Sequence, residues 1–207
     1  VYKRQGVEIR LSAAVTSVRR VDSGVEVKAA GGVYEYFDEV IFATHSDTTL
    51  ELLSDPTEIE QSSLNSIKYQ SNTMVLHADT SIMPKRKAAW ASWVYTEEKN
   101  RKSDHIDLTY WINRLQSLPE DDPCFVTLNT KRPIKPHLIY DEYVFNHPVF
   151  DLAALQGQRN LADSNGTNST WFCGAWMRNG FHEDGLATGM EVARRILDQS
   201  ASMIAAE

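Results

Sequence analysis

The chain has 207 residues, 42% hydrophobic and 24% charged, with a formal net charge of −7. This is the composition of ordinary globular protein with length enough for a substantial core. The acidic balance, without any long Lys/Arg run, excludes nucleic acid and anionic membrane as expected partners, and no apolar run approaches the ~20 residues of a transmembrane segment.

Cys124 and Cys173 are too few for a disulfide framework, and no signal-peptide pattern opens the chain. A reducing, cytoplasmic location is therefore expected, with both thiols packed in apolar strands. Val1 is not Met, and Val7, Ile9 and Leu11 alternate almost at once, predicting a strand. The start reads as the later part of a larger protein.

Val15–Val21, Gly24–Lys28 and Val33–Phe37 predict a β-meander with Gly-bearing turns. Val40-Ile41-Phe42-Ala43 is continuous and apolar, as in a parallel strand buried on both faces. It ends in Thr44-His45-Ser46-Asp47, at the carboxyl edge where open α/β sheets receive ligands. Thr48–Ile67 reads as helical, with Asp55-Pro56-Thr57-Glu58 as a helix opening. Thr73–Ala78, Ala89–Tyr95, Ile106–Ile112 and Phe125–Leu128 predict a mostly antiparallel sheet. Trp93 with Tyr95, and Leu108 with Tyr110, share a side of their strands; most are expected in its core, the other use of such aromatics being the apolar wall of a substrate cavity. Asn146-His147-Pro148 marks a boundary, because the residue before Pro is pushed out of the helical region. Asp151 then caps a helix to about Leu161.

The sequence from Thr170 to Gln199, TWFCGAWMRNGFHEDGLATGMEVARRILDQ, organises the rest. It predicts a strand over Thr170–Cys173, a loop carrying Gly174 and Gly180, and a helix N-capped by Asp184. Leu186, Met190, Ala193 and Leu197 recur at helical spacing as a buried face. Gly185, Gly189 and Ala193 stand four apart, and each interior Gly costs about 1 kcal/mol relative to Ala. Either a closely packed strand or a flat ligand accounts for that groove. A helix N-terminus also suits negative charge.

The motif FCGAWMRNGFHEDGLATGMEVARRI resembles the C-terminal flavin-binding motif of the FAD-dependent amine oxidase superfamily. With HSD after a strand and HPVFD, it is similar to a bacterial group of amine oxidase-like NAD/FAD-binding proteins. The resemblance implies an α/β (α+β) fold. An FAD-binding Rossmann-like domain, incomplete here, would be formed by 1–47 and 147–207. An inserted, mostly antiparallel substrate-binding domain would span 48–146, with substrate between the two lobes. It implies that FAD is the cofactor and that the last helix faces the flavin pyrimidine with amides near Gly185 and Leu186. Val15, Ala43, Thr44, Gly174, Glu183 and Asp184 fall at further cofactor-proximal positions. Many relatives carry an acidic residue after the strand-end Gly. Ala175 stands there instead, leaving a backbone contact. Glu183 matches a largely structural family Glu.

His45, Trp176, Phe181 and His182 are the substrate-cavity candidates, with loop anchoring an equal reading for Trp176 and Phe181. No catalytic residue is assigned, since flavin chemistry need not use a side-chain base. His182-Glu183 lacks the second His of a zincin, and there is no C-x-x-C, so no metal is expected. The family's N-terminal G-x-G-x-x-G is absent, so FAD binding by this chain alone is expected to be weak or nil. The implied activity is hydride transfer to flavin from an amine or an unsaturated, lipid-like substrate, with homo-oligomerisation left open. The alternative from another class is a non-enzymatic remnant, an α/β module that packs on a partner without flavin.

Overall fold

A computed structural model describes residues 5–97 and 106–204, which divide into two compact units, 1–68 with 148–207 and 69–147. The class is mixed α/β.

In the first unit, β1 (Val15–Val21), β2 (Gly24–Ala29) and β3 (Tyr34–Phe37) form the expected antiparallel meander. Gly24 is required at the first turn, because a Cβ there would stand 2.5 Å from the carbonyl of Phe37. Residues 7–11 form no strand. Val7, Ile9 and Leu11 are all exposed, so their alternation has no buried face to serve. β4 (Val40–Phe42) pairs in parallel with β10 (Thr170–Phe172), Ile41 opposite Trp171, and the rings of Phe42 and Phe172 stack at 5.9 Å. The expectation that β4 is buried on both faces is corrected at Ile41, which is 48% exposed. The other edge of β10 is closed by the side chain of Asn165, which accepts from Phe172 N–H at 2.8 Å and donates to Phe172 O at 2.9 Å.

Helices α1 (Ser46–Leu52) and α2 (Glu58–Ser66) follow β4. Thr57 and Glu60 form a reciprocal capping box at the start of α2. The Arg20 guanidinium donates to Glu60 at 2.6 Å, to the Asp55 carbonyl at 2.9 Å and to Thr170 Oγ1 at 3.1 Å, locking the meander to α2 and β10. α4 (Leu152–Ser164) is capped by Asp151, as its sequence predicts, and lies against α2 at Gly157. These contacts place α1 and α2 in the first unit. The division therefore falls after Lys68 rather than after Asp47, and the chain returns at Pro148.

The last helix, α5 (His182–Ile204), buries Thr188 and Val192, with Val192 and Ile196 packed on Trp171 and Cys173. The expected buried face is on the outside: Leu186 is 58%, Met190 63% and Leu197 68% exposed, and Ala193 is exposed. The helical period was right and its phase was not. Thr188 hydrogen-bonds into the strand-end loop and fixes that phase.

The second unit is a five-stranded sheet in the order β6-β7-β8-β5-β9, from β5 (Lys68–His77), β6 (Trp93–Thr96), β7 (Asp107–Trp111), β8 (Phe125–Leu128) and β9 (Ile139–Val149). A single-turn helix, α3 (Ile112–Leu115), follows β7. The carboxamide of Asn113, within this helix, accepts from Trp111 Nε1 and Cys124 N–H, and donates to the carbonyls of Pro119 and Asp122. Met83, Trp111 and Phe125 form the core with Trp90 and Val94. Trp93 and Tyr95, expected inside, are 41% and 63% exposed. Among the described residues no helix is long and apolar enough to cross a membrane.

Candidate functional site

Because β4 and β10 run parallel, both carboxyl ends emerge on one edge of the first unit. Ala43, Thr44 and His45 leave β4 there, all exposed, and Cys173 continues from β10 with its N–H on Phe42 O at 3.0 Å. Gly174 follows at φ +143°, where a Cβ would meet the Trp176 indole nitrogen at 2.9 Å. Only glycine fits that turn.

Ala175–Met177 then make one 3₁₀ turn that drives Trp176 inward. The side chain is buried, and its Nε1 donates to Thr44 O at 2.8 Å. Gln158 of α4 donates to the carbonyls of Trp176 at 2.7 Å and Arg178 at 2.8 Å. Of the two readings for Trp176, loop anchoring is the one its burial fits.

Thr188 joins this loop to α5. Its Oγ1 accepts from Gly174 N–H at 3.0 Å and lies within 3.0–3.3 Å of the carbonyls of Gly174, Asp184 and Gly185. The helix begins at His182 rather than at Asp184. Asp184 is not the N-cap: its carboxylate reaches back to accept from Phe181 N–H at 3.0 Å. The Phe181 carbonyl in turn accepts from Asp184 N–H at 3.0 Å and Gly185 N–H at 3.3 Å. The amides that no helical carbonyl serves are therefore those of His182 and Glu183, at the positive end of a 23-residue helix. The turn is organised by the carboxylate of Asp184, not by that of Glu183.

Space is the other property of this corner. A Cβ at Gly185 would find Ala175 N at 3.6 Å and Ala175 Cβ at 3.9 Å, which is ordinary contact, and a Cβ at Gly189 would meet nothing within 4 Å. Packing among the described residues requires neither glycine. Around them lie exposed Phe181, His182, Glu183 and Leu186.

Thr44, Gly174, Ala175, Asp184 and Gly185 are thus joined through Trp176 and Thr188. Val15 is not among them: it opens β1 opposite Ala29 and is 39% exposed. His45 is half-exposed, with Nδ1 4.0 Å from the Asp47 carboxylate. Thr188 and Gln158 escaped sequence reasoning, although a Thr four residues after Asp184 in a helix entering from a Gly-rich loop was a usable signal. Burial pushes the thiols of Cys173 and Cys124 up, which makes both poor nucleophiles.

Among the described residues no group of three or more His, Cys, Asp or Glu could hold a metal ion. A cavity of about 250 Å³ in the second unit, lined by Leu118, Pro119, Asp122, Pro123, Cys124 and Tyr140, contains none of the expected site residues.

No protein-family profile matches this sequence, and neither does any curated protein. Solved structures do match in fold. A fatty acid isomerase from P. acnes that produces CLA aligns with TM-score 0.62 and 13% identity over 88% of this chain and 47% of its own. A protein from Exiguobacterium sp. 255-15 described as a protoporphyrinogen oxidase gives 0.62 and 14% over 92% and 48%. A putrescine oxidase bound to putrescine gives 0.60 and 16% over 95% and 51%. At these identities the shared property is the fold. The chain spans about half the length of the solved structures it matches.

Proposed function

We propose that this chain is the flavin-contacting C-terminal part of an FAD-dependent oxidoreductase of the amine oxidase type. In this reading residues 1–68 and 148–207 contribute to the FAD-binding domain and residues 69–147 form the substrate domain. The observation that carries the reading is the corner at Gly185. A helix N-terminus stands at the carboxyl edge of a parallel strand pair, fronted by Gly185, whose Cβ would make only ordinary contact with Ala175, and by Gly189, where a Cβ would meet none of the described residues within 4 Å.

The residues fit a flavin in two respects. The dipole of α5 and the first amides, at His182 and Glu183, would hold negative charge, and the groove at Gly185 and Gly189 would admit a flat ring. Ala43, Thr44, Gly174, Ala175 and Leu186 border it with backbone and small or apolar groups. The flavin, when bound, accepts a hydride from a substrate C–H bond. The chain's part is to orient the ring, hold charge at the helix end and exclude water with Phe181 and Leu186. Val15 would meet the adenine end, and His45 and His182 remain the side chains for a proton role near substrate. A reducing cytoplasm suits the two free thiols.

The test is flavin content. A polypeptide joining this chain to an N-terminal half bearing a G-x-G-x-x-G strand and helix should purify yellow, and this chain alone nearly colourless. A joined protein that takes up no flavin on refolding with excess FAD would leave the alternative, a partner-binding module, in its place.

A further inference from the structure

Strand β9 ends the sheet of the second unit, in the order β6-β7-β8-β5-β9, so among the described residues one of its edges meets no other strand. It is the longest strand of that sheet, and residues 140–147 are all exposed. An edge this long and this apolar is a template for another strand. The acids Asp141 and Glu142 lie on it, and Pro148 bounds it.

Register decides what those acids permit. In an antiparallel pair, residues directly opposite share a face and touch. With two copies of β9 antiparallel and Val144 opposite Val144, Tyr143 faces Phe145, Glu142 faces Asn146 and Asp141 faces His147, each pair occurring twice. Both acids then meet a side chain that can donate to them, and the aromatics meet each other. A shift of two residues one way sets Asp141 against Phe145 and Glu142 against Val144. The same shift the other way sets them against Val149 and Pro148. Parallel pairing in register brings Asp141 to Asp141 and Glu142 to Glu142, and like charges directly opposite are destabilising. One arrangement satisfies every polar side chain between 141 and 147.

The side chains are already set for it. The Tyr143 and Phe145 rings lie 4.7 Å apart. Asn72 Nδ2 donates to His147 Nδ1 at 2.9 Å, while its Oδ1 accepts from Asn129 at 2.7 Å. The His147 proton is therefore on Nε2, a donor turned away from Nδ1 and its Asn72 partner. Asp141 engages Oδ1 on Glu142 N–H at 2.9 Å, and Oδ2 is the acceptor it offers.

We propose that β9 pairs with β9 of a second copy of the chain, antiparallel about a two-fold axis at Val144, joining the two sheets into one. Residues 141–147 make a small interface, so the dimer is of micromolar rather than nanomolar strength. The inference stands apart from the flavin reading and survives its failure.

Sedimentation equilibrium of this chain, from about 1 µM to about 200 µM, reads the association. The expected result is a rise from 23.4 kDa toward twice that mass. Val144→Lys sets two ammonium groups opposite each other at the axis and should weaken the dimer at least about tenfold, as should Val144→Glu with two carboxylates. The two variants mixed should associate again, because Lys then opposes Glu, which happens only if residue 144 meets residue 144. Val144 is 56% exposed, so both variants keep the fold, which near-ultraviolet circular dichroism verifies. Leu197→Glu, on the exposed side of α5, should leave the association unchanged. A chain monomeric over the whole range, a dimer indifferent to Val144→Lys or broken by Leu197→Glu, or a mixture that stays monomeric would each overturn the proposal. So would a monomeric joined protein, which would give this edge to the N-terminal half.

Discussion

The indole Nε1 of Trp176 donates to the carbonyl oxygen of Thr44 at 2.8 Å and so ties the loop after β10 to the loop after β4. The two strands are in register for only three residues. A parallel pair that short needs its loops held, and the buried indole does this where the candidate cofactor edge begins.

Trp176→Phe keeps most of the apolar volume and removes the donor. The Thr44 carbonyl then loses its partner, which should cost about 1–3 kcal/mol. The urea midpoint measures the loss. A change no larger than that of Phe181→Ala, at a 55% exposed position, would mean the bond contributes nothing to holding the edge.

The glycines give an opposed pair. A Cβ at Gly157 would stand 2.8 Å from the Ser63 carbonyl, so Gly157→Ala must push α4 off α2 and should cost about 1–3 kcal/mol. Gly189 lies in a helix with open space before it, so Gly189→Ala should add up to about 1 kcal/mol through helix propensity. Thermal midpoints moving in opposite directions would bear this out; a loss at Gly189 would show that something in the chain uses its space.

Such contrasts mark how far the sequence could be read. The meander, β4, β7, β8, β10 and the Asp151 cap follow from alternation and turn chemistry, which are local. The strand β9 was not legible: it reads IYDEYVFNHPV, and both its faces are exposed and carry large apolar groups, Tyr140 and Val144 on one and Tyr143 and Phe145 on the other, so no alternation marks it. The phase of α5 was set by a hydroxyl, Thr188, against a strand-end amide fourteen residues earlier, which a hydrophobic pattern does not encode. The candidate edge was legible because glycines and a strand end announce it. Trp176 could face ligand or anchor the loop, and only the Thr44 carbonyl decides between them.

Acid should loosen the second unit first. His77 is fully buried, with Nδ1 accepting from Asp79 N–H at 3.1 Å, so Nε2 carries the proton and donates to Thr127 Oγ1 at 2.8 Å. Burial pushes the imidazole below its ordinary value, against the pull of Asp79 and with the push of Arg132. Below the ordinary value of 6.5 the unfolded chain takes a proton that the folded one resists, so stability falls as pH drops from there. Burial alone would raise the Asp79 carboxyl. The Lys135 and Ser81 hydrogen bonds outweigh it and hold Asp79 well below its ordinary 3.8, so its contribution is present above that pH and is lost below it. Urea midpoints from about pH 7.5 to about pH 5 should decline in wild type and stay flatter in His77→Asn, which keeps an acceptor and cannot titrate. Equal slopes would remove His77 as the cause.

The groove at Gly185 supplies the most discriminating experiment on the proposed cofactor. Gly185→Ala places its Cβ 3.6 Å from Ala175 N, ordinary contact, so the fold should hold and helix propensity should add up to about 1 kcal/mol. Gly185→Val adds two methyl groups at the mouth of the groove, and a branched side chain stiffens the first turn. If the space exists for a flavin ring, the joined protein carrying Gly185→Val loses its visible flavin absorption. The thermal midpoint of its apoprotein should meanwhile lie within a few degrees of wild type, and Gly185→Ala should keep part of the flavin. If the space serves only the fold, flavin and midpoint fall together. Flavin retained at wild-type stoichiometry by Gly185→Val would show that the ring does not approach α5 here, and the corner at Gly185 would no longer support an FAD-dependent function.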